Sequence, residues 1–95
     1  MSEISVTVRF FNILASYAGT KQMEINLDEG ATIRTLVDTL VKTGSQGLRQ
    51  ILVSNGKFNN SLKIFHNQEL ITDDMMEIPL YKGDELMILP AITGG

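Results

Sequence analysis

The 95-residue chain contains no cysteine. Disulfides, thiolate metal sites and thiol nucleophiles are therefore excluded, and the fold must hold without covalent staples. It has one histidine, His66. An imidazole acting as ligand or acid–base group needs partners, and none stands near it in sequence. No apolar run approaches the roughly 20 residues that a membrane-crossing helix needs. The opening, Met1-Ser2-Glu3-Ile4-Ser5, lacks the basic and apolar regions of a signal peptide. Basic clusters are missing too. Eight Lys and Arg are scattered singly against 11 Asp and Glu, for a net charge of −3. Neither a nucleic acid nor a membrane surface is an expected partner. There is no Gly-rich phosphate-binding loop, repeat, linker or low-complexity segment. A cytoplasmic location fits these absences.

What is present is one domain's worth of patterned core. The apolar fraction of 43% is ordinary for a folded protein. Ile4, Val6, Val8 and Phe10 alternate with Ser5, Thr7 and Arg9, the period-2 signature of a strand. Phe11 breaks the alternation, so the strand bends there or Phe11 turns outward. A connection over 12–20 holds Ile13, Leu14 and Tyr17, with room for a helical turn, and ends at Gly19. Met23, Ile25 and Leu27 mark a second strand, antiparallel to the first. Thr32 is a suitable N-cap for a helix whose apolar stripe is Ile33, Leu36, Val37, Leu40 and Val41. Gly44 marks its C′ position. A short helix is expected over 48–53, then loops over 54–57 and 59–61. A strand over 62–65, a turn over 66–69 and a short return at 70–71 follow. The stretch 73–82 reads as irregular around Pro79, and 86–89 as the last strand.

This β-β-α-β-β order predicts an α+β domain, residues 1–89, with one main helix packed across one face of a mixed sheet. The first strand should lie centrally, with the last strand parallel to it if they pair. If Leu86 and Ile88 face the helix, Met87 and Leu89 face away. With Phe11 and Phe65 they would form an exposed apolar patch of the kind that marks partner sites. Asp73-Asp74 and Asp84-Glu85 could pair for acid–base work, but turn and solvated roles suit them better. The five methionines read mostly as core filling.

The chain closes on Pro90-Ala91-Ile92-Thr93-Gly94-Gly95. Six extended residues beyond Leu89 reach about 20 Å, far enough to enter another protein's active site. Glycines without Cβ atoms allow close approach, and Pro90 stiffens the exit from the strand. The bland alternative is a frayed tail. Residues 90–95 are expected to be flexible.

Four stretches resemble one family. They are Val8 to Gly19, Glu29-Gly30-Ala31-Thr32-Ile33-Arg34-Thr35-Leu36, Asn67-Gln68-Glu69-Leu70, and Gly83-Asp84-Glu85-Leu86 through Pro90 to Gly94-Gly95. Together they are similar to the MoaD/ThiS sulfur carriers, of ubiquitin-like β-grasp fold, and most of all to the small subunit of molybdopterin synthase. Ala91 stands where that family usually has a second proline. Gln68 stands where it has a turn glycine, which would push Asn67 into the left-handed region.

The resemblance implies a role. An E1-like activating enzyme would adenylate the Gly95 carboxylate with ATP, and sulfur would then replace the adenylate to leave a thiocarboxylate. The tail would insert into the large subunit of molybdopterin synthase and supply sulfur to the pterin. Gly95 and Gly94 would be the reacting end. Phe11, Met87, Leu89, Pro90, Ala91, Ile92 and Thr93 would meet the partner. The chain itself would bind no cofactor or metal and would not be catalytic alone. Two other roles share the same ending: a ubiquitin-like modifier joined to lysines through Gly95, and a sulfur carrier for thiamine synthesis.

Overall fold

A computed structural model describes residues 2–59 and 61–90. Its first strand, β1 (Glu3–Phe10), follows the period-2 pattern, with Ile4, Val6, Val8 and Phe10 all buried. After α1 (Ile13–Ala18) and Gly19 at φ +80°, β2 (Gln22–Asp28) returns antiparallel. The pairing is unbroken from Glu3 opposite Asp28 to Arg9 opposite Gln22.

The main helix, α2 (Ile33–Thr43), begins where Thr32 predicts. The Thr32 hydroxyl accepts the Thr35 amide at 3.3 Å, and the Thr35 hydroxyl accepts the Thr32 amide at 3.2 Å. This reciprocal cap satisfies two amides that the first helical turn leaves open. Ile33, Leu36, Val37 and Leu40 are buried, and Val41 is half-buried.

Gly44 is needed for a different reason than the expected left-handed cap. Its backbone is extended, at φ −74° and ψ 171°. A Cβ there would lie 2.5 Å from the Leu40 carbonyl oxygen and 2.9 Å from Leu48 Cδ2. The glycine lets α3 (Gln46–Leu52) fold tightly back on α2. This third helix starts earlier than residue 48 because Ser45 caps it, accepting the Leu48 amide at 3.1 Å.

The stretch expected as loop after α3 is a small hairpin, β3 (Val53–Ser54) with β4 (Lys57–Phe58). Asn55 at φ +55° and Gly56 at φ +77° form its turn. Asn-Gly is the favoured pair for a two-residue hairpin turn. A second such hairpin joins β5 (Leu62–His66) to β6 (Glu69–Leu70). Both central residues, Asn67 at φ +48° and Gln68 at φ +74°, are left-handed, so the strain reaches Gln68 as well as Asn67. A 3₁₀ turn (Asp73–Met75) and an isolated bridge between Thr32 and Pro79 carry the chain to β7 (Glu85–Pro90).

The sheet order is β2-β1-β7-β5-β6. The last strand, not the first, takes the middle. It runs parallel to β1 and antiparallel to β5, as an intervening crossover requires. One face of the sheet shares a single core with α2 and α3, built from β1, Leu27, Leu62, Ile64, Leu86 and Ile88. This is the α+β, β-grasp arrangement, a mixed sheet with its main helix across one face.

Candidate functional site

The other face of the sheet carries the candidate site. Its residues come from alternate positions of the same strands. Cross-strand pairing lines up Leu70, Phe65, Met87 and Arg9 in one row: Leu70 is opposite Phe65, Phe65 opposite Met87, and Met87 opposite Arg9. Leu89 lies in the next row, opposite Lys63. Phe11 follows on from β1, its amide donating to the Ile88 carbonyl at 3.1 Å.

Phe11 is 39% exposed and Leu70 43%. Met87, Leu89 and Phe65 are half-buried rather than fully exposed. Of the residues expected to form an exposed patch, Phe11 alone is exposed, and Leu70 is exposed beside Phe65. The contribution of Leu70 is set by strand register, which no local pattern in the sequence encodes.

A charged rim borders the row. Arg9 Nε meets Glu85 Oε2 at 3.1 Å across β1 and β7. Beside Phe11 a cleft of about 420 Å³ is lined by Arg9, Phe11, Asn12, Ala15, Lys21 and Gln22. Asn12 holds φ +58°, uncommon for a residue with a side chain, and turns the chain off β1 into α1. This end of β1 lies alongside the exit of β7. Pro90, the last residue of that strand, is half-buried and pairs with Leu62. Ala91, Ile92, Thr93, Gly94 and Gly95 lie outside the described residues.

The opposite end of β7 is locked by side chains. His66 Nε2 is 2.8 Å from Asp84 Oδ2, and the Tyr81 amide donates to the same oxygen at 2.9 Å. Asn67 Nδ2 donates to Asp84 Oδ1 at 3.2 Å, and the Glu85 amide donates to Asn67 Oδ1 at 2.9 Å. Burial pushes the Asp84 carboxyl upward, but these hydrogen bonds and the His66 charge outweigh it and hold it below its ordinary value. His66 is thus a structural tie between the β5–β6 turn and the start of β7. No group of three or more His, Cys, Asp and Glu that could hold a metal occurs among the described residues. No helix among them is long and apolar enough to cross a membrane.

Comparison with known proteins decides the family. The ThiS family model matches residues 8–95. The chain belongs to the ThiS family. No curated protein matches it in sequence. Among solved structures it is similar to SAMP1 from Haloferax volcanii, at 26% identity and a TM-score of 0.79, covering 96% of this chain and 99% of that one. It is similar to a chain of the Amycolatopsis orientalis BexX/CysO complex, at 29% identity and a TM-score of 0.67, covering 95% and 99%. It also matches a chain in the complex of subunits 1 and 2 of molybdopterin-converting factor from Helicobacter pylori, at 25% identity and a TM-score of 0.62, covering 97% and 100%. This ThiS-family chain therefore has the ubiquitin-like fold shared by sulfur carriers and small modifiers. Two of these relatives were solved in complexes.

Proposed function

We propose that this chain is a sulfur carrier that donates sulfur in molybdopterin synthesis. The observation that carries the reading is the placement of β7. The strand runs through the middle of the sheet and ends at Pro90, at the end of the sheet where Phe11 leaves β1. A partner seated on the apolar face would receive Gly94 and Gly95 directly. Phe11, Met87 and Leu89 would dock that partner. Pro90 would stiffen the exit, and Ala91, Ile92 and Thr93 would line the partner's channel.

The chemistry is that of carboxylate activation. A carboxylate is a poor electrophile. Attack of the Gly95 carboxylate on ATP, within an E1-like activating enzyme, gives an acyl-adenylate and releases pyrophosphate. A sulfur nucleophile then displaces AMP and leaves a thiocarboxylate. Glycine at 94 and 95 offers no side chain to obstruct either partner. The bases, metals and nucleotide-binding loops belong to the partners, so ATP is used by the activating enzyme and not held by this chain.

Support for the molybdopterin branch comes from the Gly83-Asp84-Glu85 to Pro90 context of the ending. Likeness to a subunit solved within a molybdopterin-converting factor complex adds to it. The similarity to SAMP1 favours a second reading, a modifier joined to lysines through Gly95. A thiamine-pathway carrier would share the loading step and differ in its acceptor.

Intact-mass analysis tests the proposal. The chain is incubated with an activating enzyme, ATP and a sulfur donor. One terminal oxygen should be replaced by sulfur, and the loaded chain should support dithiolene formation by a molybdopterin synthase large subunit. Deletion of Gly95, or addition of one residue after it, should abolish loading and barely change the melting temperature. If a Gly95-deleted form still supports cofactor synthesis, the carrier reading fails. Lysine-linked conjugates appearing in place of the thiocarboxylate would move the assignment to a modifier.

A further inference from the structure

The sheet has two margins, and they differ. One is closed by β6, only two residues long. The other is β2, seven residues with no proline and no bulge in its pairing to β1. Such an edge presents an open row of amides and carbonyls.

The ladder identifies which groups are open. The Phe10 amide donates to the Lys21 carbonyl, and the Glu29 amide donates to the Ser2 carbonyl. In an antiparallel pair the bonded positions alternate. Lys21, Met23, Ile25, Leu27 and Glu29 are therefore bonded inward. The backbone groups of Gln22, Glu24, Asn26 and Asp28 point outward, and all four residues are exposed. At the ends of the strand they are partly taken: the Thr20 hydroxyl donates to the Gln22 carbonyl at 2.8 Å and accepts its amide at 3.4 Å, and the Asp28 carbonyl accepts the Ala31 amide at 3.0 Å. Glu24 and Asn26 are the open centre of the edge. Met23 and Ile25, although on the core face, are only half-buried at this margin.

We propose that β2 is a self-association edge, pairing antiparallel with β2 of a second copy about a two-fold axis at Ile25. In that register Ile25 meets Ile25, Glu24 meets Asn26, Met23 meets Leu27, Gln22 meets Asp28 and Lys21 meets Glu29. Open Glu24 meets open Asn26 on both sides of the axis, and these two central pairs close their hydrogen bonds. The half-buried Met23 and Ile25 gain apolar neighbours from the other copy. Lys21 and Glu29 pair as opposite charges at both ends.

Charge selects this register over its neighbours. Slid one step one way, Glu24 faces Glu24. Slid one step the other way, Glu24 faces Asp28 on both sides of the axis. Like charges directly opposite are destabilising in a sheet. Glu24 and Asp28 thus act against indiscriminate edge pairing while leaving one self-complementary, closed arrangement.

Sedimentation velocity of the full chain from micromolar to millimolar concentration reads the association. Wild type should pass from monomer to dimer within that range. Asn26→Lys sets a cation against Glu24 and should tighten the dimer by roughly tenfold; Asn26→Asp sets a like charge there and should weaken it by roughly tenfold. Glu29→Lys should weaken it, and Lys21→Glu in the same chain should restore it. Hydrogen exchange gives a second readout. The amides of Glu24, Asn26 and Asp28 should become protected only as concentration rises, while those of Met23, Ile25 and Leu27 are protected throughout. A monomer at every concentration overturns the proposal. So do equal responses to Asn26→Lys and Asn26→Asp, or dimers in which the β2 amides remain open.

Discussion

Leu86 and Ile88 alternate with Met87 and Leu89 along one central strand, and the two pairs meet opposite surroundings. The first pair is at most 1% exposed beneath the helices. The second pair is half-buried on the opposite face of the sheet. A strand's side chains alternate strictly, so one six-residue segment serves two purposes at once. Its even positions anchor the domain, and its odd positions present an apolar row with charged borders. Substitutions on the two faces should therefore separate stability from partner binding.

The largest effect is expected on the covered face. Leu36 is fully buried on the α2 stripe. Leu36→Ala should cost roughly 2–5 kcal/mol, as for other large-to-small core changes. Denaturant unfolding measures it, and a loss below about 0.5 kcal/mol would mean that α2 does not pack as described. Gly44→Ala comes next. The new methyl group would press on the Leu40 carbonyl and on Leu48. A cost of about 1–3 kcal/mol is expected from overpacking, with α3 displaced from α2. An unchanged melting temperature would show that the α2–α3 junction has slack.

On the open face the balance should reverse. Met87→Asp should cost the isolated domain less than about 1 kcal/mol, because its side chain reaches solvent. Under the proposed function, binding to an activating enzyme or a large subunit should fall at least tenfold, since a charge would be desolvated within the proposed contact. Calorimetric titration against either partner, with thermal melts of the same samples, separates the two quantities. Unfolding of the Met87→Asp chain would mean that the two faces had been assigned the wrong way round.

The two faces also differ in how far they could be read in advance. β1, β2 and α2 announce themselves locally, through Ile4-Val6-Val8-Phe10, Met23-Ile25-Leu27 and the Thr32 cap. Their apolar spacing matches the period of the element, and burial follows it. The open face is built from register. That Leu70 joins Phe65 and Met87 depends on which residue of β6 faces β5, and of β5 faces β7. The His66–Asp84 tie spans 18 positions and leaves no periodic trace. Gly44 was legible as a helix end but not as a close-approach site, because Leu48 comes against it only once α3 has turned back. The Asn55-Gly56 hairpin carried its own turn signal. With two-residue strands on either side, that signal lacked the alternation that would have supported it.

The smallest effect concerns the lock that keeps the two faces distinct. Asp84 binds His66, Asn67 and the Tyr81 amide, and so fixes where β7 begins relative to β5. A slip of one residue would exchange Met87 and Leu89 with Leu86 and Ile88. The Asp84 carboxyl is held below its ordinary value of 3.8 in the folded chain. A depressed carboxyl contributes stability that is present above its unfolded pKa. That contribution is lost as pH falls from the unfolded value through the lowered folded one. Asp84→Asn removes the titrating group and should therefore be less stable than wild type near neutral pH. The difference should narrow as the solution is acidified below about pH 4. Urea unfolding of both chains across the acid range measures this. A difference that stays constant or widens with acid would mean that Asp84 is not a charged partner in the lock. The register of β7 would then rest on its backbone pairing alone.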